Sequence, residues 1–161
     1  MAEKMREKYI LDGRNFLNRT TSKYDVIFND AYQSLTTIPY HLTTIEAVQK
    51  MYDALNEDGL VMSNIISAIE GDKGKFLRAE YATYKSVFPQ VYVFNVKGLN
   101  GDQLQSIMLV ALKSSEKPAF KSDDAELNGY LGRLWKNEIK TDLPILTDDY
   151  APVDYYIRQA F

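Results

Sequence analysis

Two apolar runs, 91–96 and 105–112, are joined by a short link containing Gly98, Asn100 and Gly101. The link is too short for a crossover helix, so the two runs must pair antiparallel, as a hairpin. Upstream of it the chain keeps a different rhythm. Tyr24-Asp25-Val26-Ile27-Phe28 is a compact, nearly continuous apolar run. Such a run suits a strand buried on both faces, as in a parallel sheet. Thr43 and Glu46 have the spacing of a capping box, and behind them Ile45, Val48, Tyr52 and Leu55 repeat at helical intervals up to the stop at Asp58-Gly59. A strand over 60–66 follows. Leu77, Tyr81, Tyr84 and Phe88 then mark one face of a helix that Pro89 terminates. Strands alternating with helices, closed by a hairpin, predict an α/β fold. The expected sheet is a partial Rossmann-like one, mostly parallel, with a C-terminal antiparallel hairpin and helices on both faces.

The flanks are less regular. Residues 9–11 read as the end of a strand that stops at Asp12-Gly13, and 14–19 as a short helix. Residues 31–40 read as a loop, 114–121 as a surface linker, and 123–139 as a helix with Leu127, Leu131 and Leu134 on one side. The tail, 143–161, reads as aromatic and irregular. With no repeat and no second pattern, 1–161 is expected to be a single domain.

Composition narrows the function classes. The 161 residues are 45% hydrophobic and 25% charged, the balance of a globular protein. A net charge of −3 with interspersed signs gives no basic stripe for nucleic acid. The absence of cysteine excludes disulfides, thiolate metal sites and cysteine nucleophiles, and a single histidine argues against zinc. No run approaches the roughly 18 apolar residues of a membrane span, and residues 1–8 are too polar for a signal peptide. The expectation is a cytoplasmic protein without membrane insertion by this segment.

Ligands of open α/β sheets bind beyond the carboxyl ends of the strands, and Asp12 and Asp30 fall at two such ends. On spacing alone each aspartate is read first as a helix cap or turn residue. His41 reads as a residue capping or flanking the helix after the Asp30 loop, with a substrate contact as the alternative. Tyr32 and Tyr40 suit either a pocket wall or packing, and Asp148-Asp149 either a return to the pocket or an exposed turn. Gly71-Asp72-Lys73-Gly74 reads as a surface turn, and Trp135 and Phe161 as core or interface.

Four segments in order carry a resemblance. They are Asp12-Gly13-Arg14 with Phe16-Leu17; Tyr24-Asp25-Val26-Ile27 running into Asp30; Ile38-Pro39-Tyr40-His41-Leu42-Thr43-Thr44; and Leu146-Thr147-Asp148-Asp149-Tyr150-Ala151-Pro152-Val153. Together they resemble the spermidine synthase-like polyamine aminopropyltransferases, a family with a class I methyltransferase-like fold. The resemblance spans almost the whole chain. It implies an S-adenosyl ligand, S-adenosylmethionine or its decarboxylated form. Asp12 would accept a hydrogen bond from the adenine amino group, with Gly13 letting the backbone lie close and Asn29 near the same ligand. Asp30 would sit at the reacting centre, where a carboxylate can bind a protonated amine and help remove its proton. Tyr32, Gln33, Tyr40, His41, Asp148 and Asp149 would face the amine substrate.

Two departures qualify that expectation. Gln33 stands where the family usually carries a second aspartate, which puts putrescine as the acceptor in doubt. The family's Gly-rich loop and ribose-binding acid should precede Asp12, yet only eleven residues do, none of them glycine. The chain is therefore expected to be the C-terminal half of the catalytic domain, with weak or no S-adenosyl binding alone. Its uncovered 24–28 strand edge would associate with a second copy or with a separate N-terminal half. The alternatives are a non-catalytic binding or assembly module, and methyl transfer to an unknown acceptor.

Overall fold

The computed structural model describes residues 12–31 and 38–160. Helix α1 (Gly13–Arg19) leads into strand β1 (Tyr24–Asn29), and a single 3-10 turn (Tyr40–Leu42) precedes helix α2 (Ile45–Ala54). Strand β2 (Leu55–Ser67) follows directly, then a second 3-10 turn (Asp72–Gly74) and helix α3 (Lys75–Lys85). Strands β3 (Gln90–Asn95) and β4 (Gln105–Leu112) form the hairpin, and helices α4 (Ala125–Leu131) and α5 (Val153–Arg158) complete the chain. No described helix is long and apolar enough to cross a membrane.

The four strands form one sheet in the order β1-β2-β4-β3. β1 runs parallel to β2, whereas β4 pairs antiparallel with both β2 and β3. The α/β class and the C-terminal hairpin are as the sequence predicts. Within the described residues, the parallel share is the β1–β2 pairing alone, because β4 inserts between its hairpin partner and β2.

Strand periodicity divides the sheet into two unequal faces. On one face Val61, Ile65, Val93, Ile107, Leu109 and Ala111 are all 1% exposed or less, and they share a core with α2, α3 and α5 residues such as Val48, Leu77, Tyr84 and Val153. The other face carries Leu60, Met62, Tyr92, Phe94, Met108, Val110 and Leu112, each only partly covered. Of the described helices, α4 lies against that second face, and its segment lines a cavity of about 610 Å³ with these side chains. β1 is not buried on both faces as its composition suggests: Val26 is 53% and Phe28 56% exposed. Both project onto the half-covered face, next to Leu60 and Met62 of β2.

The two sheet edges also differ. Segment 133–135 closes the outer edge of β3. Asn95 N–H donates to the Arg133 carbonyl (3.0 Å), Trp135 N–H donates to the Val93 carbonyl (2.8 Å), and Phe94 and Leu134 form an antiparallel bridge. No described segment pairs with the outer edge of β1.

Several local expectations shift. The α2 cap is Thr44 rather than Thr43, its hydroxyl accepting from Ala47 N–H at 3.4 Å, and Glu46 is used elsewhere. α2 stops at Ala54, so Asp58-Gly59 lies inside β2, near the irregularity in its register with β1. The helix expected over 123–139 is only α4, which ends at Leu131 with Gly132 as its cap, because the chain must straighten there to close β3. The tail, expected to be irregular, holds α5, with Val153 and Tyr156 buried.

Polar groups inside the helix-covered core are mostly paired. The Tyr84 hydroxyl lies 2.9 Å from Ser63 Oγ and also bonds the Asn29 side chain, and burial pushes its pKa up. Among the described residues, the Glu80 carboxyl and Trp135 Nε1 are buried without a partner, and Glu80 carries the larger consequence. It is fully buried, its two carboxyl oxygens have no hydrogen-bond partner, and desolvation raises its pKa well above the ordinary 4.5. A raised folded-state pKa means the fold holds the neutral acid. Stability is then complete below the unfolded pKa and is lost as pH rises towards the folded one. Denaturant titrations between about pH 5 and pH 8 should show wild type losing stability relative to Glu80→Gln as pH rises, by at most about 1.4 kcal/mol per pH unit. A pH-independent difference would show that Glu80 ionises freely.

Candidate active site

Topology decides where the polar residues meet. α1 runs into the start of β1, and α2 follows its end, so both helix starts lie on the carboxyl side of β1. The chain's tail reaches the same place. Leu146, fully buried, is clamped through its backbone: its N–H donates to Thr83 Oγ1 (3.0 Å) and its carbonyl accepts from Ile45 N–H (2.8 Å). The next four residues form a tight turn in which Thr147 and Tyr150 exchange backbone hydrogen bonds at 3.0 Å. That turn delivers Asp148 to the helix starts.

Arg14 ties the pieces together. Its guanidinium donates to the His41 carbonyl (3.0 Å), Thr44 Oγ1 (3.2 Å) and Asp148 Oδ2 (2.6 Å). Asp148 Oδ1 accepts from the Thr44 hydroxyl (2.6 Å), and Asp148 N–H donates to Glu46 Oε2 (3.0 Å). The Arg14 side chain is mostly buried while the Asp148 side chain is 46% exposed, so the pair sits at the rim of the network. Asp12 caps α1, its Oδ1 accepting from Arg14 N–H (3.0 Å) and Asn15 N–H (3.2 Å). Its Oδ2 lies 3.0 Å from His41 Nε2. The Asn15 hydrogen bond is the main reason the Asp12 carboxyl titrates below its ordinary value, with His41 adding to it.

At the tip of β1, Asn29 turns into the core and bonds Tyr84, whereas Asp30 follows it out of the strand. Asp30 Oδ1 accepts from Asn64 Nδ2 at 3.0 Å, so β2 holds the carboxylate from the side. Beside this tip lies a concavity of about 300 Å³ lined by Gly13, Phe16, Val26, Phe28, Asn29 and Leu42.

The structure thus gathers Asp12, His41 and Asp148 into one network around Arg14, and places Asn29 and Asp30 at the adjoining strand tip. Asp12 has the capping role that its spacing suggested and keeps a carboxylate oxygen on the outer side. Gly13 allows a close approach to Leu42, because a Cβ there would stand 3.3 Å from Leu42 Cδ1. Tyr40 is exposed, with its ring edge-on to His41 at 5.7 Å. Asp149 is exposed on the turn. Tyr32 and Gln33 lie outside the described residues. Arg14, Thr44 and Asn64 were not among the expected site residues, and Glu46 was read only as part of a helix cap. Arg14 had a signal, its place in the Asp12-Gly13-Arg14 motif, but its partner Asp148 lies 134 residues away.

Replacing Arg14 by Met should release the 147–150 turn and leave Asp148 paired only with Thr44 and Glu46. The expected cost is about 1–3 kcal/mol in denaturant unfolding, with faster hydrogen exchange at Leu146 and Tyr150. Unchanged exchange at those two amides would show that the Leu146 clamp suffices.

The comparisons with known proteins point in one direction. The family model described as "Spermine/spermidine synthase domain" matches residues 3–113. A probable polyamine aminopropyl transferase of Bifidobacterium longum (strain NCC 2705) is 29% identical over 163 aligned positions, covering 89% of this chain and 36% of the relative. A polyamine aminopropyltransferase of Vibrio vulnificus (strain CMCP6) is 31% identical over 108 positions, covering 65% of this chain and 34% of the relative. The chain therefore spans about a third of the length of each of these relatives. Among solved structures, a probable spermidine synthase from Corynebacterium glutamicum ATCC 13032 superposes with a TM-score of 0.58 at 23% identity, over 76% of this chain and 42% of that one. The spermidine synthase from Thermotoga maritima gives 0.52 at 20% identity, over 94% and 48%. These two likenesses concern the fold, and the match to the family model concerns descent: the chain belongs to the spermine/spermidine synthase domain family.

Proposed function

We propose that this chain supplies the acceptor-side part of an aminopropyltransferase site, and that the part gripping most of the S-adenosyl donor lies in another polypeptide segment. The observation that carries the reading is Asp30, set at the carboxyl tip of β1 and held from the side by Asn64. At the neighbouring helix starts and the 147–150 turn, the described residues carry the carboxylates of Asp12, Glu46, Asp148 and Asp149 against the guanidinium of Arg14, which already holds Asp148. A mouth with that balance favours a protonated amine over an anion.

The donor, decarboxylated S-adenosylmethionine in this reading, contributes a carbon made electrophilic by its sulfonium. The residues of this chain act on the acceptor. Asp30 binds the ammonium and takes one of its protons, and the lone pair of the resulting neutral amine then bonds to that carbon as the carbon–sulfur bond breaks. The electron pair of the broken bond neutralises the sulfonium, so the leaving group needs no acid. Asp12 suits the adenine side: its carboxylate keeps acceptor capacity after capping α1 and contacting His41. Holding amine, carbon and sulfur in line supplies much of the acceleration.

Two measurements check the reading. Calorimetry on the isolated chain should show no more than weak binding of S-adenosylmethionine or its decarboxylated form, and a micromolar dissociation constant would contradict the division of the site. In the completed enzyme, Asp30→Asn should lower turnover about 10²- to 10⁴-fold while donor affinity changes little. Equal loss in both would remove Asp30 from proton transfer.

A further inference from the structure

Asp12 and Asp148 both belong to the network around Arg14, but their carboxylates are held differently. Asp12 uses Oδ1 to cap α1 and keeps Oδ2 on the outer side, 3.0 Å from His41 Nε2. Asp148 has both oxygens on short bonds to this chain's own side chains. Oδ2 accepts from the Arg14 guanidinium and Oδ1 from the Thr44 hydroxyl, each at 2.6 Å. Its backbone N–H is also taken, by Glu46 Oε2. A carboxylate bound in this way fixes the direction of the donors around it.

Those donors lead back to Asp12. A hydroxyl has one proton to give. Thr44 gives it to Asp148, which leaves its lone pairs for the Ala47 N–H that it caps and for Arg14 Nη1. The guanidinium is a rigid planar fork, so holding Nη2 on Asp148 also aims Nη1. Nη1 donates to the His41 carbonyl at 3.0 Å, within the 3-10 turn Tyr40–Leu42. The ring of the same His41 then meets Asp12 Oδ2. Asp148 therefore reaches the outer oxygen of Asp12 through Arg14 and His41. Arg14, His41 and Thr44 lie inside the region that the family model matches, residues 3–113, and Asp148 lies beyond it.

We propose that Asp148 is a positioning residue for the donor side of the site, aiming the Asp12–His41 pair through Arg14, and not a ligand of the amine. The inference rests on the proposed aminopropyltransferase site and assigns this aspartate a role within it. It separates two neighbours in sequence, since Asp149 is exposed on the same turn.

The test is Asp148→Asn, which removes the charge and keeps the shape. The side chain is 46% exposed, so the change leaves the chain folded. His41 is the only histidine of the sequence, so its imidazole resonances are identified without further labelling. In the chain by itself, at one fixed pH, Asp148→Asn should move those resonances in the direction that Asp12→Asn moves them. Asp149→Asn removes the same charge one residue on and should leave them in place. In the completed enzyme, Asp148→Asn should weaken binding of decarboxylated S-adenosylmethionine about tenfold, with acceptor KM and turnover at saturating donor nearly unchanged. Unmoved His41 resonances would overturn the inference, as would an equal movement in Asp149→Asn. A raised acceptor KM with unchanged donor affinity would overturn it too, by making Asp148 an amine contact. A completed enzyme that transfers no aminopropyl group would count against the proposed function, while the His41 resonances of the chain by itself still decide whether Asp148 aims the Asp12–His41 pair.

Discussion

The insertion of β4 between β2 and β3 sets what each part of this molecule can do. It makes the central strand pair antiparallel and locks Val61, Ile65, Leu109 and Ala111 onto one face, where the helices bury them completely. The same register places Leu60, Met62, Met108 and Val110 on the other face, which the described residues cover only at one end. Burying a large apolar side chain is worth about 1.5–3 kcal/mol. Val26 and Phe28, each about half exposed, forgo roughly half of that apiece. The sheet is therefore well anchored on its helical side and under-used on its β1 side.

The polar site depends on that anchoring. Leu146 enters the sealed core and fixes the chain's tail against α2 and α3 through two backbone hydrogen bonds. Only then can the following turn carry Asp148 to Arg14, across 134 residues of sequence. Core packing, tail path and carboxylate placement form one causal chain. On the strand side the same core holds Asn29 through Tyr84 and Ser63, and Asp30 follows at the strand's end, steadied by Asn64.

Much of this was legible in the sequence. The strands at 24–28, 60–66, 91–96 and 105–112 were read from apolar periodicity, and the hairpin from the length of its link. The capping role of Asp12 follows from its position before a short helix, and the family from four short motifs in order. What the sequence could not show was long-range. Apolar composition made β1 look doubly buried, yet Val26 and Phe28 are about half exposed, because composition alone does not show which segments reach a strand's two faces. Periodicity extended α4 to residue 139, since nothing local reveals that 133–135 must straighten to close β3. The Thr43–Glu46 spacing suggested a capping box, but Glu46 is taken by the Asp148 backbone, a partner 102 residues on. Asn64 gave no signal because its role exists only once β1 and β2 lie side by side.

The central claim is that the carboxyl tip of β1, with Asp12 and the 147–150 turn, forms one wall of a donor-and-amine crevice. Amide chemical shifts of the labelled chain, recorded within the completed enzyme on addition of decarboxylated S-adenosylmethionine, address it most directly. Shifts clustered at Asp12, Gly13, Asn29, Asp30 and His41 are the predicted result. Shifts confined to the cavity between α4 and the sheet, with those five amides unmoved, would contradict it.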